Sequence, residues 1–548
     1  MLSLVAAFAL TLQPTLKYRW VYVGTNLQVE ENVNKVIALM KRAKGDGYNG
    51  IVLADTKLQR LATVPDRYFK NAARLLDACK QEYMDLIPAV FPVGYAEGML
   101  SNDPNLVEGQ PVKNATFVVH GGEAQLQPSP DETYKNGGIE EANGDRLAGM
   151  GFQDGIGTTT FVDTQVKRSG KQSLRMTDPK GNGRIVQEIK VTAHRQYHVS
   201  AWIKTQDFDR PGNFAIRVFD PQMKNLTTQE VQIQPTQDWK QVDVTFNSAD
   251  SSVARIYMGV WDGNKGSLWI DDVKLEEVGL LNVIRRDSCP VRVRSQDGTL
   301  YKEGVDYAPI SDPRMGTVPW PGAFEVYHPA PPIKILPGSK IKEGQTLLVD
   351  FDHALITVDH QVAICMSDPK TYAVEQDEAK RVEALFHPRG FFMSHDEIRA
   401  GNWDDACQAH GLDAGPLLAE NASKSVQAIE KAHPGAEVYV WSDMFDPFHN
   451  AHKDYYNVRG DLAGSWKGLP KSTIIVDWYY DARMKDMPFF ADLGHQQILA
   501  GYYDHDPTEI RKWLDDAKGI KGVVGVMYTT WQNNYSDLEK FAGAAWGD

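Results

Sequence analysis

Two adjacent carboxylates, Asp396 and Glu397, end a short strand pattern at residues 390–396 that begins with the apolar run Phe391-Phe392-Met393. Neighbouring side chains of a strand point to opposite faces, so adjacent acids share one pocket only where the strand ends or bends. An apolar pocket and a second carboxylate both raise the pKa of a carboxyl group, which suits it to donate a proton at neutral pH. We therefore predict that Asp396 and Glu397 are catalytic. The alternative is that both acids open the following helix, since acidic residues suit a first turn.

Aromatic and acidic residues also end the strand patterns that follow this pair. A single tryptophan at a strand end is usually packing, but three such tryptophans with carboxylates among them indicate a sugar pocket. The predicted substrate-binding residues are Trp441, Asp443, Asp477, Trp478, Tyr479, Tyr480, Tyr503 and Trp531. His449 and His452 follow Trp441 and are residues of a type that can bind metal, but we expect them to be solvated and predict no metal site.

The elements that position these residues alternate between strand and helix patterns. Three strand candidates lie before residue 95 and five after residue 366, with helical patterns between them. Eight strands in such an order predict an α/β fold, a (β/α)₈ TIM barrel, whose catalytic groups lie at the carboxyl ends of the strands. From about residue 100 to 365 the pattern changes to short alternating runs separated by turn residues, which is typical of antiparallel sheets. We thus expect the barrel to be interrupted after its third strand by an inserted all-β jelly-roll sandwich domain.

These patterns divide the chain into six segments. They are a signal peptide at 1–17, the first part of the barrel at 18–99, a linker and start of the insert at 100–149, a β-sandwich resembling a carbohydrate-binding module at 150–279, a β-rich return segment at 280–365, and the second part of the barrel with the catalytic pair at 366–548. The apolar run at 2–12 is too short to span a bilayer but long enough for a signal peptide. We therefore expect a secreted or periplasmic protein without a membrane span.

The segment at 150–279 resembles carbohydrate-binding modules of the family 4, 9 and 22 jelly-roll type. The resemblance lies in the runs at residues 170–176, 197–204, 238–242 and 266–273. It implies a sugar-binding sandwich. Modules of this type often hold a structural calcium ion, and Asp271 or Asp272 stands where members supply an oxygen ligand, so the resemblance leaves calcium open. No other cofactor is expected.

The barrel segments resemble the β-N-acetylhexosaminidases of glycoside hydrolase family 20, whose Asp-Glu pair ends the fourth strand. In that family the 2-acetamido group of the substrate attacks the anomeric carbon, so that no carboxylate nucleophile is needed. The resemblance implies that Asp396 orients the acetamido group and that Glu397 is the general acid and base. It also implies an aromatic box of Trp441, Trp478 and Trp531, with Tyr479 or Tyr480 donating to the acetamido oxygen.

The chain also departs from that family. An arginine commonly ends the first strand there, whereas this chain has Gly24-Thr25-Asn26, and the glutamate usual after the last-strand tryptophan is absent from Gln532-Asn533-Asn534. One alternative is a retaining glycosidase acting on a non-acetamido sugar through Asp443, Asp477 or Asp504 as nucleophile, for which a carboxyl separation of about 5–5.5 Å is diagnostic. A second is a non-catalytic glycan-binding barrel, in which Glu397 would be exposed or misdirected. A third is a non-sugar substrate.

Composition narrows the class of partner. The 548 residues carry a formal net charge of -14, and 10% of them are aromatic. An acidic surface repels nucleic acids and anionic membranes, so we expect an oligosaccharide or other glycan as the partner. The four cysteines, Cys79, Cys289, Cys365 and Cys407, lack metal-ligand spacing and are expected to be free and buried. The sequence leaves open the gluco or galacto epimer, exo or endo cleavage, the ligand of the module and the oligomeric state.

Overall fold

The computed structural model describes residues 16–315 and 324–547, so the predicted signal peptide lies almost wholly outside the described residues. Eight parallel strands close into a barrel, with the first strand paired to the last, Val21 opposite Tyr528. The strands are Tyr18–Gly24, Gly50–Ala54, Asp85–Val90, Gly390–Met393, Glu437–Trp441, Ile474–Asp477, Gln496–Tyr502 and Val523–Thr529. The predicted α/β barrel is confirmed.

Helices cover the outside of the barrel and alternate with the strands. They are Glu30–Gly45, Asp66–Glu82, Pro369–Phe386, Ala414–Ala432, Arg483–Leu493, Glu509–Asp516 and Leu538–Ala545, with shorter ones at Glu97–Leu100 and Asp405–Ala409. Asp368 caps the third of these, because its carboxylate accepts the backbone N–H of Lys370 at 2.9 Å ahead of a helix that begins with proline. Between the fifth and sixth strands the described chain has no α-helix but has 3₁₀ turns at Asp443–Phe445 and Ser465–Gly468 and the short strand Asn457–Val458. None of the described helices is long and apolar enough to cross a membrane.

Aromatic side chains fill the barrel interior from its floor to its mouth. Tyr18, Trp20 and Tyr22 are spaced by two residues on the first strand and therefore point to the same face. Trp20 packs edge-on against Tyr439 with ring centroids 4.8 Å apart. A Cβ atom at Gly50 would lie 2.7 Å from the Trp20 ring, so only glycine leaves room for this indole. Because these aromatic rings fill the floor of the barrel, open space inside it remains only near the mouth, within the part that the structure describes.

Antiparallel sheets lie in the chain between the third and fourth barrel strands. One five-stranded sheet contains Thr160–Asp163, Ser173–Thr177, Gln196–Gln206, Gln237–Asn247 and Ser267–Val278, and a second contains Phe152–Gln153, Gly183–Lys190, Phe214–Phe219, Asn225–Thr227 and Val253–Val260. Their inward residues, among them Tyr197, Ile256 and Ile270, share one buried core. This is the arrangement of a β-sandwich, with alternate residues of each strand facing the core.

A third five-stranded sheet is built from both flanks of the sandwich. Its strands are Gly109–His120 and Glu123–Leu126 on one side, and Arg292–Ser295, Ile333–Lys334 and Thr346–Ala354 on the other. Thr346–Ala354 pairs with Gly109–His120 over most of its length. The chain thus leaves the barrel and returns to it through adjacent strands, and the segments at 100–149 and 280–365 are joined in one sheet. Short paired strands occur at Ala142–Asn143 with Arg146–Leu147, and at Ala400–Gly401 with Asn457–Val458.

Candidate active site

A cavity of about 880 Å³ opens at the carboxyl end of the barrel strands. Its walls come from the ends of most strands and the loops after them, as expected for the mouth of a barrel. The lining residues are Tyr22, Gly24, Thr25, Ala54, Asp55, Thr56, Lys57, Gln59, Ala89, Pro92, Tyr95, Glu97, Ser394, Asp396, Glu397, Trp441, Trp478, Tyr503 and Trp531. Both members of the predicted catalytic pair are among them.

A bend in the backbone lets the two neighbouring acids face the same cavity. The fourth strand ends at Met393, and Glu397 adopts a left-handed backbone with φ of 43°. Gly94 packs against this bend, where an added Cβ would lie 2.3 Å from the backbone oxygen of Asp396. The side-chain amide of Gln361 donates to the backbone oxygen of Glu397 at 2.9 Å. Gly94 and Gln361, which belong to other segments of the chain, therefore hold the bend in place. A strained φ persists only where surrounding contacts fix it in this way.

Asp443 stabilises the same bend from the end of the fifth strand. Its carboxylate accepts the backbone N–H of Glu397 at 2.8 Å, the side-chain amide of Asn450 at 2.9 Å and the indole N–H of Trp478 at 3.4 Å. The side chain is fully buried, and this burial raises the pKa of Asp443 to about 7. Predicted as a substrate-binding residue, Asp443 does not line the cavity and instead orients Glu397 and Trp478.

The two acids of the pair differ in their partners. Burial, followed by the nearby Asp443 carboxylate, raises the pKa of Asp396 to about 8. Within the described chain, no other residue donates a hydrogen bond to the Asp396 side chain, which leaves its carboxyl group available to a ligand. Glu397 instead forms an ion pair with Arg399 at 2.8 Å and accepts the hydroxyl of Tyr95.

Aromatic rings form the floor and one wall of the cavity. Trp441 is 1% exposed and packs against Phe392 and Tyr22, with centroids 4.9 and 5.7 Å away. Trp478 stacks on Tyr503 at 5.2 Å, with the two rings nearly parallel. Trp531 lies at the rim, is 47% exposed and contacts Tyr22 at 5.2 Å. The three tryptophans and Tyr503 predicted from strand ends all line this one cavity.

Three other predicted residues lie outside the cavity lining. Tyr479 stacks on His449 with centroids 4.1 Å apart, and Tyr480 packs against Trp513 on the outer helix Glu509–Asp516. Neither of them lines the cavity, since after Trp478 the chain enters the 3₁₀ turn Tyr480–Ala482, and a contact of either hydroxyl with an acetamido group stays a prediction. Asp477 is buried, neither of its oxygens has a hydrogen-bond partner among the described residues, and burial holds its pKa well above the usual range.

Tyr22, Tyr95 and Glu97 were missed by the sequence analysis although they line the cavity. Tyr22 ends the alternating aromatic pattern of the first strand, and this signal was present but unused. Tyr95 and Glu97 lie after the third strand, in a stretch without a local pattern that indicates a site. Burial raises the pKa of Glu97 to about 7.

The β-sandwich contacts the barrel beside this cavity. Thr228 donates its hydroxyl to the side-chain oxygen of Asn457 at 2.9 Å, and the side-chain amide of Gln229 donates to the backbone oxygen of Ile356 at 3.3 Å. Asn457 pairs with Ala400, a few residues after the catalytic pair. A second cavity of about 490 Å³ lies at this contact and is lined by Arg217 and Glu230 of the sandwich and by Tyr456. The Tyr456 ring also packs on Arg399, the ion-pair partner of Glu397.

Comparison with known proteins identifies the sandwich. Residues 131–265 match the family described as Carbohydrate binding domain. This agrees with the resemblance of the inserted segment to carbohydrate-binding modules. Asp271 accepts the backbone N–H of Arg168 at 2.8 Å, and Asp272 accepts the hydroxyl of Ser169 at 2.9 Å and pairs with the Arg168 guanidinium. A calcium ion at these two residues stays a prediction.

Solved structures similar to the whole chain are remote. The chitobiase of Flavobacterium johnsoniae, a family 20 enzyme, is 9% identical over 97% of this chain and 48% of its own, with a TM-score of 0.40. A glycoside hydrolase family 20 β-N-acetylglucosaminidase is 8% identical over 98% of this chain and 71% of its own, with a TM-score of 0.37. A rhamnosidase from Novosphingobium sp. PP1Y is 11% identical over 94% of this chain and 55% of its own, with a TM-score of 0.32.

This chain therefore spans about half the length of the chitobiase and of the rhamnosidase that it matches. Likenesses at these TM-scores assign no activity to it. A search of curated proteins found no match.

Proposed function

We propose that this protein is a glycoside hydrolase that cleaves β-linked N-acetylhexosaminides with participation of the substrate's own 2-acetamido group. The observation that carries the proposal is the shared orientation of Asp396 and Glu397 into one aromatic-walled cavity. An aromatic floor suits the apolar face and acetamido methyl of such a sugar. The carbohydrate-binding domain beside the cavity supports a glycan as the substrate.

The chemistry follows from the two acids. The acetamido oxygen attacks the anomeric carbon while the glycosidic bond breaks and Glu397 transfers a proton to the leaving oxygen. Asp396 accepts the acetamido N–H and stabilises the positive charge that grows on the resulting oxazolinium ring. Water then adds to the anomeric carbon and gives a proton back to Glu397, and the oxazolinium C–O bond breaks.

The proton must move within the pair before this reaction. In the free cavity at neutral pH the raised pKa of Asp396 keeps a proton on its carboxyl group. A bound acetamido N–H favours the ionised form of Asp396, so the pair's proton becomes available to Glu397.

Tyr95 and Arg399 keep the Glu397 carboxylate directed into the cavity. Both donate to it, and Arg399 is itself held by the side-chain oxygen of Gln361 at 2.8 Å. This placement is not the exposed or misdirected Glu397 expected of a barrel that has lost catalysis. It supports an enzyme over a binding protein.

The rival with a carboxylate nucleophile needs a second acid facing Glu397. Asp443, Asp477 and Asp504 do not line the cavity, and Asp504 accepts the backbone N–H of Trp531 at 2.8 Å. Of the two other acids that line the cavity, Asp55 accepts the backbone N–H groups of Leu27 at 2.8 Å and Lys57 at 3.0 Å, so Glu97 is the acid that this rival would use. The two mechanisms therefore differ in their requirement for Glu97.

The proposal is tested by comparing the hydrolysis of aryl glycosides of 2-acetamido sugars with that of the corresponding 2-hydroxy sugars. We expect turnover of β-linked 2-acetamido sugars, inhibition by a thiazoline analogue of the oxazolinium ring, and a loss of about 10²-fold or more in kcat for Glu397→Gln and Asp396→Asn. Glu97→Gln is the matched control and should keep more than a tenth of the wild-type rate. Turnover of 2-hydroxy sugars only, with activity lost in Glu97→Gln, would establish the carboxylate nucleophile instead.

A further inference from the structure

Four buried side chains of metal-ligating types meet at one point, and two of them lie in the segment that follows Asp396 and Glu397. They are Glu108, Cys365, Asp404 and Cys407, and one ligand atom from each lies within 4.8 Å of the corresponding atoms of the others. All four are fully buried. They are far apart in sequence, since only Asp404 and Cys407 share a local segment, the N-terminal turn of the helix Asp405–Ala409.

Three of the six distances between these atoms match those of a tetrahedral site. The Cys365 and Cys407 sulfurs are 3.7 Å apart. The Cys407 sulfur is 3.5 Å from Oε2 of Glu108, and the Cys365 sulfur is 3.6 Å from Oδ1 of Asp404. Around a tetrahedral zinc ion with bonds of about 2.3 Å to sulfur and about 2.0 Å to oxygen, two sulfurs lie about 3.8 Å apart and a sulfur and an oxygen about 3.5 Å apart.

The surrounding hydrogen bonds direct one atom of each carboxylate inward. The other oxygen of Glu108 accepts the backbone N–H of Trp403 at 2.8 Å, and the other oxygen of Asp404 accepts the guanidinium of Arg286. The hydroxyl of Ser367 donates to the Cys407 sulfur at 3.2 Å. Such partners fix the orientation of metal ligands in known sites.

The charge balance also suits a divalent cation. Two thiolates and two carboxylates carry more negative charge than one such ion neutralises, and the buried Arg286 guanidinium supplies additional positive charge. Thiolate ligands in a tetrahedral arrangement select zinc over magnesium or calcium. The sulfur separation of 3.7 Å is well beyond the S–S bond of about 2.05 Å in a disulfide.

We propose that Glu108, Cys365, Asp404 and Cys407 bind a structural zinc ion. The ion would tie three segments together: the entry to the third sheet at Glu108, the return to the barrel at Cys365, and the loop that follows the catalytic pair at Asp404 and Cys407. With four protein ligands the site is closed to substrate, as structural zinc sites are. The inference is independent of the proposed hydrolase activity.

Metal analysis of the full chain, purified without a polyhistidine tag and dialysed against metal-free buffer, tests the proposal. We expect about one zinc per chain, lost in Cys365→Ser and in Cys407→Ser and retained in Cys79→Ser. Cys79 is the matched control because it is a buried free cysteine on an outer helix, 3.9 Å from the Met40 sulfur.

Two measurements on the wild-type chain do not depend on the variants folding. Exchange of the metal for Co²⁺ should give sulfur-to-cobalt charge-transfer absorption and the intense visible bands of a tetrahedral site. Thiol titration in guanidinium without reductant should count four free cysteines. A wild-type chain that takes up neither Zn²⁺ nor Co²⁺, or that shows only two free thiols because Cys365 and Cys407 form a disulfide, would overturn the proposal.

Discussion

At the scale of single residues, the two neighbouring acids are distinguished by their partners and not by their types. Asp396 has its carboxyl group free for a ligand, and Glu397 is held by Arg399 and Tyr95. The free cavity raises the pKa of Asp396 to about 8. Burial and the nearby Asp443 carboxylate cause this rise, and neither is visible in the run from 390 to 397.

The pH dependence of activity should follow the proton on this pair. The pKa of Asp396 is raised to about 8, so its carboxyl group loses its proton as the pH rises through that value. The pair then has no proton to transfer, and kcat/KM should fall above pH 8. Asp396→Asn removes this ionisation, so the fall above pH 8 should be absent from its profile. Profiles of kcat/KM measure this, and an upper limb at the same pH in both proteins would contradict it.

The exposed ring of Trp531 should contribute binding more than chemistry. Stacking of a sugar on an aromatic face is comparable to aromatic pairing at about 0.5–1.5 kcal/mol. Trp531→Ala should therefore raise KM by about three- to tenfold with little change in kcat. Steady-state kinetics measure this split. Trp239→Ala, on the sandwich strand Gln237–Asn247, is the control and should leave both constants unchanged.

At the scale of elements, the carboxyl ends of the barrel strands decide which residues meet. Strand ends bring Trp441, Trp478 and Trp531 together, because parallel strands of a barrel share one mouth. The pattern of strand ends predicts these three. Tyr95 lies in the loop after the third strand, where no repeating pattern indicates a site, and Tyr479 and Tyr480 lie outside the cavity lining because a 3₁₀ turn follows Trp478.

Gly94 should be required for the bend that places the catalytic pair. Alanine at this position would put its Cβ 2.3 Å from the backbone oxygen of Asp396, so the bend must shift. A misplacement of reacting groups by about 1 Å can cost about 10²-fold in rate. Gly94→Ala should lower kcat by that order while the protein stays folded by circular dichroism.

Gly543→Ala is the matched control, because the structure has no atom within 4 Å of a Cβ at that helical position. It should keep full activity, and alanine should stabilise its helix by up to about 1 kcal/mol. Equal activity of both variants would show that the bend does not depend on Gly94.

At the scale of the whole molecule, the sandwich and the third sheet meet at a buried histidine. The His353 ring contacts the side-chain amides of Gln196 and Asn247, at 3.2 and 3.1 Å, across the boundary between the two. Burial lowers the pKa of His353 to about 4. The junction therefore depends on a neutral imidazole, which acid would protonate.

Acid should weaken this junction within a defined pH window. The unfolded chain takes up a proton at His353 near pH 6.5, whereas the folded chain does so only near pH 4. The contribution of His353 to the free energy of unfolding is therefore fully present above pH 6.5 and is lost as the pH falls toward 4. The shift corresponds to about 3 kcal/mol. Denaturation midpoints at pH 7 and pH 5 should therefore differ less in His353→Gln than in wild type. His120→Gln, on an exposed edge, should behave like wild type.

The sequence by itself determined the local periodicities: the alternating strands and helices of the barrel, the short strands of the sandwich, and the polar and aromatic residues at the ends of the later barrel strands. These follow from near-neighbour spacing, because the direction of a side chain repeats every two residues in a strand and every 3.6 in a helix. Only the tertiary structure decided which ends share a cavity, that Gly94 and Asp443 bend the chain at Glu397, and that Cys365 and Cys407 meet Glu108 and Asp404. Such contacts join residues that are distant along the chain, and their geometry depends on how whole elements pack.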